Sequence, residues 1–175
     1  MLGTTRAPAV VGMFILWSVS GVLADEHLGP ATSPPIKIAV FDFELEDKSA
    51  GAGIIPLDER DRSYLKQSTE EAKRLLSETG RYDVVDTSSV AEHSLLSCNR
   101  CEGPLAEKLG AEQAMLGLVT RITRTEYTIQ IRVIDVVTKE TASLNFTGLR
   151  MGANYSWPRG IRWLMKNQTL ADLAK

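Results

Sequence analysis

Histidine and cysteine are scarce in this chain, which has two of each among its 175 residues. His27 lies near the start, so His93 is the only histidine in the part of the sequence that is expected to fold. A Ser-His-Asp arrangement or a metal site built from several imidazoles needs more histidine than this. We therefore expect no histidine-based nucleophile system and no cofactor.

An excess of positive charge is also missing. The chain has 20 Lys and Arg against 22 Asp and Glu, which gives a formal net charge of −2. TRITRTE (120–126) and RWLMK (162–166) are small basic groups, too sparse for binding to a phosphate backbone, and we expect them to be solvated faces. A nucleic-acid partner is therefore not expected.

A long apolar run, APAVVGMFILWSVSGVLA, follows the single cation Arg6 near the start. Val22 and Ala24 are small enough for the −3 and −1 positions of a signal-peptidase site. The pattern predicts a signal peptide over 1–24, cleaved after Ala24, and then a disordered leader over 25–35 that is rich in Pro, Gly, Ser and Thr. The alternative is an uncleaved anchor, although the run is slightly short for a span of about 20 residues.

The remaining chain, 36–175, predicts a single domain in which strands and helices alternate. IKIAVFDF is apolar on both faces, as a central strand is, and YTIQIRVID alternates as a half-covered strand does. A hairpin is expected to turn near Arg124 to Glu126. The predicted strands are IKIAVFDF (36–43), RYDVVD (81–86), EQAMLGLVTRITRTE, YTIQIRVIDVVTKE and TASLNFTGLR.

Helical spacing predicts a first helix over 61–79, ended by Gly80. Ser89 and Glu92 have capping-box spacing, which predicts a second helix start, and a short helix follows in GPLAEKLGA. SWPRGIRWLMKNQTLADLAK predicts a closing helix, and 44–59 predicts a long loop. The fold class is thus an α/β (α+β) sandwich with a mixed sheet of about five strands, in the order β-α-β-α-α-β-β-β-α.

Cys98 and Cys101 form a C-x-x-C pair with three open interpretations. In an oxidising compartment the pair is expected to be a disulfide, and we favour a structural staple that fixes a tight turn. A thiol oxidoreductase would place Cys98 at a helix amino terminus, where its pKa is lowered, but here Cys101 is nearer the next helix. A metal site would combine His93 with both cysteines and still needs a fourth ligand.

Asp42 and Asp86 close the first two predicted strands. If those strands are parallel, both carboxylates lie at the carboxyl edge of the sheet, where α/β folds bind ligands. Paired acids there can hold a hard cation or transfer protons. The alternative is that each aspartate caps the turn behind it.

The segment NYSWPRG (154–160) brings together Tyr155, Trp157 and Arg159, which are residue types that suit a partner-binding hot spot. The alternative is a helix entry in which Ser156 is the N-cap and Trp157 is buried.

Several phrases of the chain resemble a family of secreted proteobacterial proteins known only as a domain of unknown function. More distantly, the layout is similar to the TolB amino-terminal domain and to the periplasmic part of the curli-secretion channel subunit. The phrases are KIAVFDFE, LLSETGRYDVVDTSSV, CNRCEGPLAEKLGAEQAMLGLVTRI, IRVIDVVTKE and NYSWPRGIRWLM, and they span roughly 36 to 170.

This resemblance implies a periplasmic location and an interaction domain attached to envelope machinery, with no assigned activity. We therefore expect a non-enzymatic accessory module with an envelope or periplasmic protein as partner, which meets the membrane only through its signal segment. Its recognition face is expected in the 44–59 loop and around Trp157. The alternatives are a thiol oxidoreductase using Cys98 and Cys101, and a small-ligand or metal binder using His93 or the Asp42 and Asp86 edge.

Overall fold

The computed structural model describes most of the chain from residue 33 onward. The predicted signal segment and residues 25–32 of the predicted leader lie outside the described part, apart from Gly3, and so does His93. The described ranges are 33–50, 52–53, 57–91, 94–98, 101–150 and 152–175.

A mixed, open, six-stranded sheet forms the centre of the domain, in the order β3-β1-β4-β5-β6. β1 pairs in parallel with β3 and β4, and β4, β5 and β6 form an antiparallel meander. β2 pairs in parallel with the far half of β4, so it extends the line of β1. The strands are β1 (Ile36–Val40), β2 (Glu44–Asp47), β3 (Tyr82–Val85), β4 (Gln113–Arg121), β5 (Tyr127–Asp135) and β6 (Thr141–Leu149).

Three helices accompany the sheet: α1 (Glu59–Glu78), α2 (Glu102–Lys108) and α3 (Trp157–Leu164). α3 continues through a π-helical stretch, Met165–Thr169, into a last turn at Leu170–Asp172. Within the described residues, none of the helices combines the length and the apolar character that crossing a membrane requires.

The predicted class of fold is confirmed, and two elements differ from the prediction. The expected 44–59 loop contains β2, whose sequence ELED has no strand-like apolar pattern and whose existence depends on pairing with β4. The helix expected after Ser89 is a single 3-10 turn, Ser88–Val90, in the described part of that segment.

The larger core lies between one face of the sheet and the helices α1 and α3. α1 begins after Asp58, whose carboxylate accepts the Asp61 backbone N–H at 2.7 Å, and it ends before Gly80, whose φ is +67°. Thirteen described residues of this core have no exposed surface: Ile38, Val40, Ala72, Leu76, Met115, Val119, Ile129, Ile131, Val133, Trp157, Ile161, Leu164 and Met165.

A smaller core lies on the opposite face of the sheet, under α2. Among the residues that the structure describes, it covers β1, the end of β3, the start of β4 and the end of β5. The seven-residue α2 is too short to reach across the rest of β5 and β6, so no described helix covers that half of the face. The buried members of this cluster are Ala39, Phe41, Leu95, Ala106, Ala111, Ala114 and Ile134.

Candidate functional site

Asp42 follows β1 and Asp86 follows β3. Because these two strands are parallel, both aspartates lie at the same edge of the sheet, and both are exposed. Asp86 accepts hydrogen bonds from the backbone N–H and the hydroxyl of Ser88, at 2.9 and 2.8 Å. These bonds hold the pKa of Asp86 below its usual value. Asp86 therefore caps the turn that follows β3. The binding of one ligand by Asp42 and Asp86 together stays a prediction.

A metal site finds no support in the part of the chain that the structure describes. No three His, Cys, Asp or Glu side chains of these residues are grouped so that they could hold an ion. The imidazole of His93, the candidate third ligand beside the two cysteines, lies outside these residues.

Cys98 and Cys101 form a disulfide, with their Cα atoms 5.9 Å apart. Cys101 is the N-cap residue of α2, and both sulfur-bearing side chains are half-buried against the smaller core. The cysteine at the helix amino terminus is thus Cys101, whereas a redox centre would be expected to have Cys98 there. The bridge ties the segment that carries Leu95 to the start of α2.

The fold buries one of the two aromatic residues of segment 154–160 and exposes the other. Trp157 is fully buried, and its ring packs edge to face on Tyr127 at a centroid distance of 5.4 Å. Tyr155 and Arg159 point to solvent. In this structure a partner can touch Tyr155 and Arg159 but not Trp157, which belongs to the core.

A partly buried ion-pair network was not predicted from the sequence. Arg121 donates to the carboxylates of Asp47, at 2.9 Å, and Asp61, and Asn154 donates to the other oxygen of Asp61 at 3.1 Å. Burial lowers the pKa of Arg121, but the bonds to Asp61 and Asp47 outweigh it and hold that pKa above the usual range. The expectation that TRITRTE is only a solvated face is therefore wrong for Arg121, which joins β2, β4 and α1.

In β6 the polar side chains are buried and the apolar side chains are exposed, which is the inverse of the usual burial pattern. Ser143 and Asn145 are 4% and 6% exposed, whereas Leu144 and Phe146 are 49% and 67% exposed. Because side chains alternate across a strand, one face of β6 carries the polar residues inward and the other carries the apolar residues outward.

The buried polar residues of β6 have partners that hold this register. The Asn145 amide donates to the Ser143 hydroxyl at 2.7 Å and to the Asp172 carboxylate at 3.0 Å. Asp172 lies in the last turn after α3, so the carboxyl-terminal segment of the chain fixes which face of β6 points inward.

The outward residues of β6 lie on the same face of the sheet as two apolar residues of β4, in the half that α2 does not cover. Phe146 pairs with Gln130 and Leu144 with Arg132 on β5, and the next residues across the sheet are Leu118 and Leu116 on β4. A cavity of about 200 Å³ lies in this surface, bordered by Leu96 and Cys98. We name the surface formed by Leu96, Leu116, Leu118, Leu144 and Phe146 the open-face patch.

The backbone of β6 is also available to a partner, because β6 is the outermost strand on its side of the sheet. Its nine residues, TASLNFTGL, contain no charge and no proline. Those are the residues that commonly protect an exposed edge from pairing with another chain. The alternation of Ala142, Leu144 and Phe146 is visible in the sequence, but it is normally interpreted as the buried face.

The chain belongs to the family described as "Protein of unknown function (DUF2380)", whose model matches residues 36–169. The resemblance to an uncharacterised family is thereby confirmed. No curated protein sequence matches the chain.

Solved structures resemble the domain in fold. Lipoprotein GNA1162 from Neisseria meningitidis is 16% identical over 69% of this chain and 84% of that one, with a TM-score of 0.49. The LpoB C-terminal domain from Salmonella enterica is 12% identical over 69% of this chain and 86% of that one, with a TM-score of 0.45. TolB from Acinetobacter baumannii is 12% identical over 74% of this chain and 27% of that one, with a TM-score of 0.40. These likenesses carry no argument about function.

Proposed function

We propose that this member of the family is a non-enzymatic interaction module of the bacterial periplasm that binds a partner protein on the open-face patch. The observation that carries the proposal is the inverted burial of β6. A strand that buries serine and asparagine while it exposes leucine and phenylalanine gives up the hydrophobic stabilisation of its own fold. That stabilisation is recovered if a partner covers Leu144 and Phe146.

The composition of the patch suits a protein partner. Two rows of apolar side chains, Leu116 and Leu118 on β4 and Leu144 and Phe146 on β6, flank Gln130 and Arg132 on β5. The patch therefore offers a partner both apolar contacts and hydrogen-bonding groups. Phe146 is an exposed aromatic residue, a type of side chain that often anchors an interface. The free edge of β6 would let an extended segment of the partner pair with the sheet while its apolar side chains cover the patch.

The periplasmic location rests on two features of the chain. The segment 1–24 has the charge and apolar pattern of a signal peptide, with small residues before the expected cleavage site. The Cys98–Cys101 disulfide suits an oxidising compartment. The thiol oxidoreductase alternative has less support, because Cys101 rather than Cys98 is at the start of α2.

Photocrosslinking in living cells tests the proposal. A photoreactive phenylalanine analogue replaces Phe146 in one strain and Val137 in a control strain; Val137 is an exposed apolar residue in the turn between β5 and β6. We expect one discrete crosslinked protein from position 146 and none from position 137. Crosslinks of equal pattern from both positions, or none from 146, would contradict the proposal.

A binding assay with the purified, crosslinked partner completes the test. We expect Phe146→Lys to weaken binding at least about tenfold without lowering the melting temperature, because the side chain is exposed in the free domain. Val137→Lys is the matched control and is expected to bind as the wild type does. Equal affinity of all three proteins would show that the partner does not use the open-face patch.

A further inference from the structure

The solvent-facing side of α3 and its flanking turns carries two exposed aromatic residues among cations. Tyr155 is 62% exposed and Trp163 is 49% exposed, and Arg159, Arg162 and Lys166 are exposed as well. Arg159, Arg162 and Trp163 lie in α3 itself, where 3.6 residues per turn place them within an arc of about 100°. Tyr155 and Lys166 lie in the turns that flank α3. We name this surface the outer face of α3.

The charge of this part of the chain differs from the rest. No acidic residue occurs from 141 to 171, although the segment contains Arg150 as well as the three cations of the outer face. The chain as a whole is slightly acidic, with a net charge of −2. Positive charge is therefore concentrated in the carboxyl-terminal segment of the chain.

A groove between α1 and α3 borders this face and carries charges of both signs. Its volume is about 430 Å³, and Lys66, Arg74 and Arg162 line it together with Glu70 and Glu71. Glu71 accepts hydrogen bonds from both Arg74 and Arg162. One carboxylate thus fixes two guanidinium groups, while half of the Arg162 side chain stays exposed.

We propose that the outer face of α3 rests on a membrane surface made of anionic lipid. The cations would contact lipid phosphates, and Tyr155 and Trp163 would insert their rings at the level of the headgroups with their polar atoms still hydrated. Arginine and lysine close to an anionic bilayer are attracted to its surface potential. This departs from the expectation that the signal segment alone meets the membrane.

The arrangement favours a lipid surface over an acidic protein. A protein interface gathers its apolar residues at the centre and places charge around them. Here Tyr155 and Trp163 lie toward opposite ends of the face, with Arg159 between them along the sequence. Tryptophan and tyrosine are enriched at membrane–water interfaces, and cations beside them are attracted to anionic headgroups.

The proposed membrane contact leaves the open-face patch free. α3 packs on the face of the sheet that forms the larger core, and Leu116 belongs to the opposite face. A domain resting on α3 would therefore present Leu144 and Phe146 away from the bilayer. The two surfaces are separate and can be tested separately.

Vesicle binding tests the inference with the processed chain purified from the periplasm. We expect it to co-sediment with vesicles of phosphatidylglycerol and phosphatidylcholine at least about tenfold more tightly than with phosphatidylcholine alone, and to be released by high salt. Arg159→Gln with Lys166→Gln is expected to weaken binding about tenfold. Arg124→Gln with Lys139→Gln removes the same charge from exposed turns and serves as the control.

The fluorescence of Trp163 gives a second, site-specific result. We expect tryptophan emission to shift to shorter wavelength when anionic vesicles are added, and Trp163→Phe to lose the shift because Trp157 is already buried. Phe146→Ser should leave vesicle binding unchanged. Equal binding to neutral vesicles, or equal effects of the two charge-removing pairs, would overturn the inference. If a protein were photocrosslinked from position 163 and the chain did not bind vesicles, the outer face of α3 would be assigned to an acidic protein partner and not to a membrane.

Discussion

Arg132 on β5 donates a hydrogen bond to the carboxylate of Glu102, the first residue of α2. The Glu102 side chain is 1% exposed. Its second oxygen, Oε2, and the Nε of Arg132 have no hydrogen-bond partner among the residues that the structure describes. One ion pair thus joins the disulfide-bonded loop and α2 to the middle of the open-face patch.

Removing the arginine alone should be costly. Arg132→Met leaves the buried carboxylate of Glu102 without its cation, and we expect the free energy of unfolding to fall by about 2–4 kcal/mol. The double variant Arg132→Met with Glu102→Gln should recover at least half of this loss, because no buried charge remains. Urea denaturation measures both, with Arg124→Met as a control on an exposed turn. A double variant no more stable than the single one would show that the pair is not the cause.

Stability at low pH should depend on Glu71. The hydrogen bond from Arg74, opposed by burial and assisted by the bond from Arg162, lowers the pKa of Glu71 to about 2. Because the folded pKa lies below the unfolded value, the carboxylate stabilises the fold above about pH 5, and this contribution is lost as the pH falls toward 2. We expect about 1–3 kcal/mol from this group.

Denaturation at pH 7 and pH 3 tests the assignment to Glu71. Glu71→Gln should lose less stability than the wild type between these values, because its side chain cannot be protonated. Glu107→Gln, on the exposed side of α2, should behave as the wild type does. Identical pH dependence in all three proteins would mean that the two arginines do not hold Glu71 ionised.

The disulfide should be structural. Since Cys101 rather than Cys98 starts α2, we expect a reduction potential below about −300 mV, measured by thiol trapping in glutathione buffers. The bridge closes a very small loop, so Cys98→Ser with Cys101→Ser should cost less than about 2 kcal/mol and keep the fold. A potential near −200 mV with a reactive Cys98 would instead favour the thiol oxidoreductase.

Gly117 on β4 should not tolerate a side chain. A Cβ atom at this position would overlap the ring of Phe43, which is buried in the larger core. We expect Gly117→Ala to lower the free energy of unfolding by about 1–3 kcal/mol. Gly148→Ala is the matched control on β6, where a Cβ meets no atom within 4 Å.

A second substitution identifies the ring of Phe43 as the cause. Phe43→Leu in the Gly117→Ala background shortens the side chain that the new methyl group meets, so the double variant should lose less than the sum of the two single losses. Thermal melts of all four proteins measure the coupling. Strictly additive losses would show that Phe43 is not the obstacle.

Elements with a strong local pattern were predictable from the sequence. The periodicity of α1 and the glycine after it marked that helix, and the alternation of Ile129, Ile131 and Val133 marked β5. The hairpin turn expected near Arg124 to Glu126 lies between β4 and β5. In each case neighbouring residues along the chain decide the conformation, so propensity and spacing are sufficient.

The local sequence was misleading where contacts with residues far along the chain determine the conformation. ELED becomes β2 because β4 supplies the hydrogen bonds. The network of Arg121 with Asp61 connects residues 60 positions apart. Spacing along the chain contains no signal for such contacts.

The sequence by itself therefore determined the class of fold, the order of its main elements and the position of the C-x-x-C pair. Only the tertiary structure decided which side of β6 points inward. The alternation of side chains requires Leu144 and Phe146 to share a face of β6, but it does not determine whether that face points to the core or to solvent. The buried amide of Asn145 needs a hydrogen-bond partner, and the Asp172 carboxylate supplies it. α3 covers the face of the sheet on which Asn145 lies, so Leu144 and Phe146 point the other way.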